Sequence, residues 1–330
     1  MFLVWLRSPQ ACVYPCPILM IRDLSLPLLT KPVLDDISIV IPTLGRPILE
    51  SCLFWLAEGT HWPTRVIIVD QGRNPMVAEW LALLQAAGLD TLYVPSEQHG
   101  RSAGINRGLE QVQTRFVAIN DDDCFVTADW LHKMVTRLRQ EPGVIVTGRV
   151  DQAGDEEVAF SVVTARELKR YERPQLKAHP FIGGNAGLAM DIVWRIGLFD
   201  EHPCLQAAED SDYGYRALRL GIPIVYDPDI VLLHYHWRDA SQRAARYNEY
   251  ARSQGGFYGT HLRWGNWIIW QQAARDLLRG PVRWARGTIR RDQDMIDRGR
   301  ADTLQLLPGL IQGLRREKSA RYLSVRTEND

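Results

Sequence analysis

FVAINDDDC, residues 116–124, is the stretch on which the fold turns. Phe116 to Asn120 form a short apolar run of the kind found in the middle of a sheet, and they lead straight into Asp121, Asp122 and Asp123. Three adjacent carboxylates repel one another and persist only where solvent, hydrogen-bond donors or a cation compensate them. A solvated turn whose charges favour the N-terminus of the next helix would tolerate such a run. Delivery by a strand favours the other reading, a ligand-facing sheet edge. Hard ions such as Mg²⁺ and Mn²⁺ take one or two carboxylates together with phosphate oxygens, and the alternating spacing of Asp121 and Asp123 suits that role.

Working outward toward the N-terminus, Leu92 to Pro95 is a strand followed by a helix over Ser102–Val112. Before it, RVIIVD (Arg65–Asp70) is a buried strand closed by Gln71-Gly72, with a helix over Val77–Ala87 that Gly88 ends. Before that, ISIVIPT (Ile37–Thr43) is a strand stopped by Pro42, Gly45 and Pro47, with a helix over Ile48–Glu58. Toward the C-terminus, Thr127 can cap a helix running to Arg139, and a strand covers Val144–Val150. Residues 151–180 are polar and irregular. FIGGNAGLAM, a helix over Asp191–Ile196, the acidic AAEDSDYGYRALRLG and the strand IPIVYDP follow. This alternation predicts an α/β class: a Rossmann-like, mostly parallel sheet with helices on both faces, whose ligands sit beyond the carboxyl ends of the strands.

Three regions are expected: an N-terminal extension over 1–36, an α/β domain over 37–240, and a helical region over 241–330 rich in Arg and Trp, with Trp264, Trp267, Trp270 and Trp284 near basic residues. Lys plus Arg and Asp plus Glu both number 39, so no net field recruits nucleic acid. Five cysteines without a CxxC pair fit neither a disulfide framework nor a zinc knuckle, which points to a reducing, cytoplasmic setting. The apolar start is broken by Arg7, Pro9, Pro15, Pro17, Arg22 and Asp23, short of the roughly 18 residues a spanning helix needs.

Other residues carry chemistry by type and place. Asp70 ends a strand where a carboxylate can meet a nucleoside, or where an Asp forms the turn before Gly72. Asp210, at the start of the helix carrying Glu209-Asp210-Ser211-Asp212, is the candidate general base for an acceptor hydroxyl, and Asp210 or Ser211 can also serve as N-cap. Gly183-Gly184-Asn185 offers close backbone approach and an amide, as a sugar-pocket wall or as a plain turn. His234 and His236 follow the strand Ile230–Leu233; His234 is the candidate metal ligand, a histidine satisfied by protein partners being the alternative.

Taken in order from Ile37 to His236, VIPTLGRP, VIIVDQG, NDDDC, GGNAG and AEDSDYGYR resemble the family 2 glycosyltransferases of the GT-A fold, with their nucleotide-facing first loop, base-binding aspartate, DxD element, acceptor-side loop and ED motif. The resemblance implies inverting sugar transfer from a nucleoside-diphosphate donor to a hydroxyl acceptor, lipid-linked or polysaccharide, with Mg²⁺ or Mn²⁺. It implies donor contacts at Pro42, Thr43, Gly45, Arg46, Asp70, Arg101, Asn106, Asp121 and Asp122. Gly183, Gly184 and Asn185 would bound the acceptor pocket, Asp121, Asp123 and His234 would hold the metal, and Asp210 with Glu209 would be catalytic. It further suggests that the C-terminal helices touch the inner face of a membrane, the alternative being a helical cap on the core. The sequence departs from the family at GINRG, where Ile105 stands in place of a common arginine, so that Arg101 or Arg107 has to supply the missing charge. Two other readings compete. A dinucleotide oxidoreductase lacks its GxGxxG after the first strand. A noncatalytic nucleotide-sugar binder is at odds with the presence of both acidic motifs.

Overall fold

The computed structural model describes residues 31–153, 162–175, 180–235, 240–262 and 267–316. Its strands are β1 (Val33–Thr43), β2 (Trp62–Asp70), β3 (Thr91–Pro95), β4 (Phe116–Asn120), β5 (Cys124–Val126), β6 (Ile145–Ala153), β7 (Lys169–Tyr171), β8 (Asn185–Ala189) and β9 (Ile224–Tyr235). The helices are α1 (Ile48–Ala57), α2 (Pro75–Ala86), α3 (Arg101–Leu109), α4 (Trp130–Gln140), α5 (Met190–Ile196), α6 (Glu209–Arg219), α7 (Ala240–Leu262), α8 (Trp267–Arg290) and α9 (Gln293–Arg315).

The strands form one sheet in the order β3-β2-β1-β4-β8-β6-β9-β5, with β7 also on β9. β3, β2, β1 and β4 run parallel, while β8 is antiparallel to β4 and to β6. Strands covered on both faces need continuous apolar runs, and Ile39, Val40, Ile41, Ile67, Ile68, Phe116 and Ile119 are all fully buried. β1 connects onward to β2 on one side and pairs with β4 on the other, so the crevice of the sheet opens at the carboxyl ends of β1 and β4.

Several boundaries differ from the sequence expectation. Val33–Asp36, assigned to the N-terminal extension, are the first residues of β1, and residues 1–30 lie outside the described ones. Thr127 does not cap α4; its hydroxyl bonds Asp129 and the Val231 carbonyl, and Asp129 is the N-cap residue. IPIVYDP and the run after it form a single strand, β9, bent by a register shift opposite Gly148–Arg149. At α6 the N-cap is Ala208, not Asp210 or Ser211, so Glu209, Asp210 and Asp212 are first-turn acids on the helix dipole.

The C-terminal helices pack through small residues. Gly255 and Gly259 of α7 lie against the α9 backbone at Leu306 and Leu310, Gly309 and Gly313 of α9 against α7, and Gly299 against Trp284 of α8. Any side chain at these positions would push the helices apart. A separate core of Cys204, Leu205, Tyr215, Phe257, Tyr258, Ile269 and Leu306 joins this layer to the α/β domain. The outer face of α8 is apolar: Trp267, Trp270, Ala274, Leu278, Val282 and Ile289 recur at helical spacing, with Trp267, Leu278 and Ile289 exposed to 70%, 73% and 82%. Leu304, Leu307 and Ile311 are exposed on α9. No described helix is long and apolar enough to cross a membrane.

Candidate active site

α3 can lie close on the sheet because Gly104 faces the Pro42 side chain and Gly108 the Val40 side chain, where a Cβ would clash. That approach aims Arg101, the first residue of α3, into the crevice. Its Nε and Nη2 donate to Asp121 at 2.8 and 3.3 Å, and its Nη1 donates to Asp210 at 2.8 Å and Glu209 at 3.1 Å. Burial opposes the Arg101 charge, yet Asp121, Asp210 and Glu209 together hold its pKa well above the ordinary arginine range. Of the two arginines expected to replace the missing charge, Arg101 stands in the crevice, paired with three carboxylates. Ile105 is fully buried in the core, and Arg107 pairs with Glu110 on the surface.

Gly183 and Gly184 precede β8, whose Asn185 pairs with Asn120 across the sheet, and so they arrive beside Asp121. A Cβ on Gly183 would collide with the Asp210 carboxylate, and one on Gly184 with that of Asp121. The Gly183 N–H donates to Asp210 Oδ2 at 3.1 Å, so Asp210 is fixed by one bond to each oxygen while its side chain stays 35% exposed. Glu209 is buried, and burial followed by the neighbouring Asp210 charge pushes its pKa up to about 7 against the pull of Arg101.

Asp122 points away from this group. The Thr43 hydroxyl donates to its Oδ2 at 2.6 Å, Arg46 Nε donates to the same oxygen at 3.2 Å, and Arg46 Nη2 donates to Oδ1. Burial and then Asp123 still raise its pKa to about 6. Asp122 thus anchors the first loop to the acidic run; Arg46 also lies 3.5 Å from Asp123 Oδ2, and Asp121 is the most exposed of the three.

β5 and β9 pair with Cys124 opposite His234, and the Tyr235 N–H donates to the Asp123 carbonyl at 2.9 Å. This register sets His234 Nε2 3.5 Å from Asp123 Oδ1. One donor atom each from Asp123, Cys124 and His234 lies within 4.8 Å of the others. Burial pushes the Cys124 thiol well up, so it is a poor ligand. The carboxylate and imidazole remain, a donor set that fits a divalent ion. His236 lies outside the described residues.

These groups line one cavity of about 610 Å³ that includes Pro42, Thr43, Arg46, Arg101, Asp121, Asp122, Asp123, Gly184, Glu209, Asp210 and His234. Five expected site residues are not among its lining: Gly45, Asp70, Asn106, Gly183 and Asn185. Asp70 is fully buried; Oδ1 accepts from the Gly72 and Arg73 N–H groups at 2.9 and 3.0 Å, and Oδ2 from Tyr93 at 3.1 Å. It builds the turn that presents Gln71 to the cavity. Asn106, expected on the donor, is a correction: its amide donates to Phe199 O and Glu201 and accepts from the Phe199 N–H. Asn185, expected in the acceptor pocket, is another: it accepts from Trp130 and donates to the carbonyls of Arg149 and Ile230, stitching β8 to the bend between β6 and β9. Both amides are saturated by protein partners. Gly45 is behind the rim, at φ +69°, with its N–H on Thr43.

The sequence reading missed His99, Gln206, Arg246 and Tyr250, which also line the cavity. None lies in an acidic or glycine-rich motif. Arg246 and Tyr250 are one helical turn apart on α7, in a region expected only to be helical.

Residues 38–197 match the profile of the family described as glycosyl transferase family 2. The hyaluronan synthase of Pasteurella multocida is 24% identical over 225 residues, 56% of this chain and 23% of that protein. The amylovoran biosynthesis glycosyltransferase AmsE of Erwinia amylovora is 24% identical over 189 residues, 56% of this chain and 69% of that protein. The chain spans 33% of the chondroitin synthase of Escherichia coli, so the first relatives are much longer proteins. Among solved structures, the mannosyltransferase PcManGT from Pyrobaculum calidifontis in complex with GDP-Man and Mn²⁺ superposes with a TM-score of 0.56 at 16% identity, covering 90% of this chain and 92% of that one. S. aureus TarS 1-349 in complex with UDP-GlcNAc does so with a TM-score of 0.53 at 11% identity, covering 81% and 90%.

Proposed function

Because residues 38–197 belong to glycosyl transferase family 2 and the chain carries the GT-A-type fold, we propose that it transfers a sugar from a nucleoside-diphosphate donor to a glycan or lipid-linked hydroxyl with inversion at the anomeric carbon. The observation that carries this reading is the meeting of two distant acidic motifs on one guanidinium: Arg101 bonds Asp121 on one side and Glu209 with Asp210 on the other. The cavity gathers five carboxylates, Asp121, Asp122, Asp123, Glu209 and Asp210, against three arginines, Arg46, Arg101 and Arg246, the first two already paired with them. Such an excess calls for further positive charge.

Asp123 and His234 would hold Mg²⁺ or Mn²⁺, with Asp121, which is bonded to Arg101 and outside their cluster, as a further candidate ligand; the ion, when bound, would screen the diphosphate and stabilise it as leaving group. Asp210 takes the proton of the acceptor hydroxyl while that oxygen attacks the anomeric carbon and the bond to the diphosphate breaks. Two of the lone pairs on Asp210 are used by Arg101 and Gly183, which leaves capacity for the hydroxyl. Arg101 and the two glycines position that carboxylate. The names of the relatives, makers of hyaluronan and amylovoran, favour a glycan acceptor.

The same reading gives α8 and α9 a peripheral membrane role. Of the five α8 arginines, Arg275 and Arg283 pair with Asp276 and Asp302. Arg279, Arg286 and Arg290 flank the exposed apolar stripe with no salt bridge to a described carboxylate. An apolar face rimmed by arginines suits an anionic lipid surface on the inner side of the cell membrane.

Calorimetric titration with UDP, GDP, dTDP and CDP, each with and without Mn²⁺, tests the catalytic reading. One of them binds in a Mn²⁺-dependent way; binding by none would sink it.

A further inference from the structure

α7 presents a single stripe to the α/β domain: Arg246, Tyr250, Ser253, Phe257 and His261 recur at i, i+4, i+7, i+11 and i+15. The deep half of the stripe is locked. His261 bonds Asp212 of α6 at 2.8 Å, its ring lies 4.4 Å from that of Tyr215, and Ser253 accepts from the Ala207 N–H at 3.2 Å. The register of α7 is thereby fixed to the helix that carries Glu209 and Asp210. The outer half of the stripe then falls at the cavity, where Arg246 and Tyr250 are wall residues.

Arg246 sits there in an unusual state for an arginine. Its guanidinium lies 4.6 Å from the centre of the Tyr250 ring, and Nη1 donates at 2.5 Å to Glu249, which is 42% exposed. Nε is buried with no hydrogen-bond partner among the described residues. The other two cavity arginines are spoken for: Arg46 binds Asp122, and Arg101 binds Asp121, Glu209 and Asp210. A planar cation braced on an aromatic ring, with a donor left over, is built to take an oxyanion.

We propose that Arg246 is a diphosphate-binding residue of this cavity, contributed by the C-terminal helices and oriented by Tyr250, and that Glu249 is its resting partner, displaced by the phosphate oxygens. The assignment rests on the reading of the cavity as a nucleotide-sugar site. The diphosphate is that of the nucleotide donor or that of a diphosphate-linked acceptor, and one set of titrations separates the two.

The full chain is titrated in Mn²⁺ with UDP, GDP, dTDP and CDP and with the matching monophosphates, as wild type, Arg246→Gln, Arg246→Lys and Glu249→Gln. With the donor as source, Arg246→Gln weakens the diphosphate about tenfold or more, as loss of a charge-assisted bond requires, and changes the monophosphate far less. Arg246→Lys recovers part of the loss. Glu249→Gln removes a competitor and tightens the diphosphate by about twofold, the scale of an exposed ion pair; a purely structural Arg246–Glu249 pair would give no gain. With the acceptor as source, nucleotide titrations are unchanged, and inorganic pyrophosphate binds the nucleotide-saturated wild type but not Arg246→Gln. If wild type and Arg246→Gln give the same isotherms for nucleotides and for pyrophosphate, the assignment is wrong. Failure of the wild type to bind any nucleoside diphosphate instead overturns the reading of the cavity itself.

Discussion

Around the cavity, carboxylates lie where a protein ordinarily puts hydrocarbon, with Asp122, Asp123 and Glu209 all buried; on α8, Trp267, Leu278 and Ile289 stand where it ordinarily puts charge. Both regions depart from the usual inside-out partition. In the first, local donors compensate the departure, since Arg46, Arg101, Thr43 and the Gly183 N–H answer the carboxylates one by one. In the second, nothing described covers the apolar stripe. A buried charge that the fold has taken trouble to satisfy points to chemistry inside the chain, and an apolar face left open points to a partner outside it.

The sharpest way to break this contrast is at the cavity. Asp210→Asn keeps one of the two accepting oxygens, for Arg101 or for the Gly183 N–H, and removes the proton acceptor. Sugar transfer falls by about 10²- to 10⁴-fold, the worth of a general base, while calorimetric binding of the nucleoside diphosphate stays near that of the wild type. Full turnover by the variant would move the base elsewhere.

The second test concerns the seam between the regions. Asp212 is fully buried between Arg216, at 2.8 Å, and His261 of α7, also at 2.8 Å. Burial opposes its charge, but Arg216 and His261 hold its pKa well below the ordinary carboxylate range. A depressed folded pKa adds stability that is complete above the unfolded value, about 3.9, and is lost as pH falls below it. Asp212→Asn leaves Arg216 without its counter-ion and lowers unfolding free energy at pH 7 by about 3–5 kcal/mol. In urea titrations the gap between wild type and variant narrows as pH drops from 5 toward 3, those pH values bracketing about 3.9; a gap that stays constant would show that the carboxylate charge is not what matters.

The third test asks whether the excess negative charge is there for a cation. Asp123→Ala removes a carboxylate that faces His234 and weakens the Mn²⁺-dependent part of nucleotide binding by at least about tenfold, with the Mn²⁺-free isotherm little changed. Equal loss in both conditions would mean that Asp123 touches the nucleotide or merely shapes the loop.

Much of the α/β half was readable from its sequence because strands buried on both faces leave continuous apolar runs and because βα alternation restricts the topology. The acidic motifs were readable as candidates for chemistry but not residue by residue: Asp70, also at a strand end, is spent on the turn after β2. Asn106 and Asn185 misled, since an amide can cap, staple or bind ligand, and only the coordinates reveal the carbonyls that saturate them. Arg246 escaped notice because its relation to the cavity is set by a helix register fixed fifteen residues away at His261, a dependence no local pattern encodes. The outer stripe of α8 lay in plain view as apolar periodicity, yet periodicity gives a face and not its direction.

That direction is what the last and smallest test addresses. The wild-type chain co-sediments with vesicles containing anionic lipid and much less with neutral ones, because both the stripe and the arginines are needed. Arg279→Gln costs about fivefold in vesicle partition, the worth of one arginine near an anionic surface, and added salt weakens the wild type in the same sense. Leu278→Glu lowers binding to both kinds of vesicle. Neither substitution alters nucleoside diphosphate binding, since Arg279 and Leu278 are exposed on a helix that does not line the cavity. If partition ignores both substitutions, the exposed face of α8 answers to some other partner, and the contrast between the two regions loses its second half while the chemistry of the first stands.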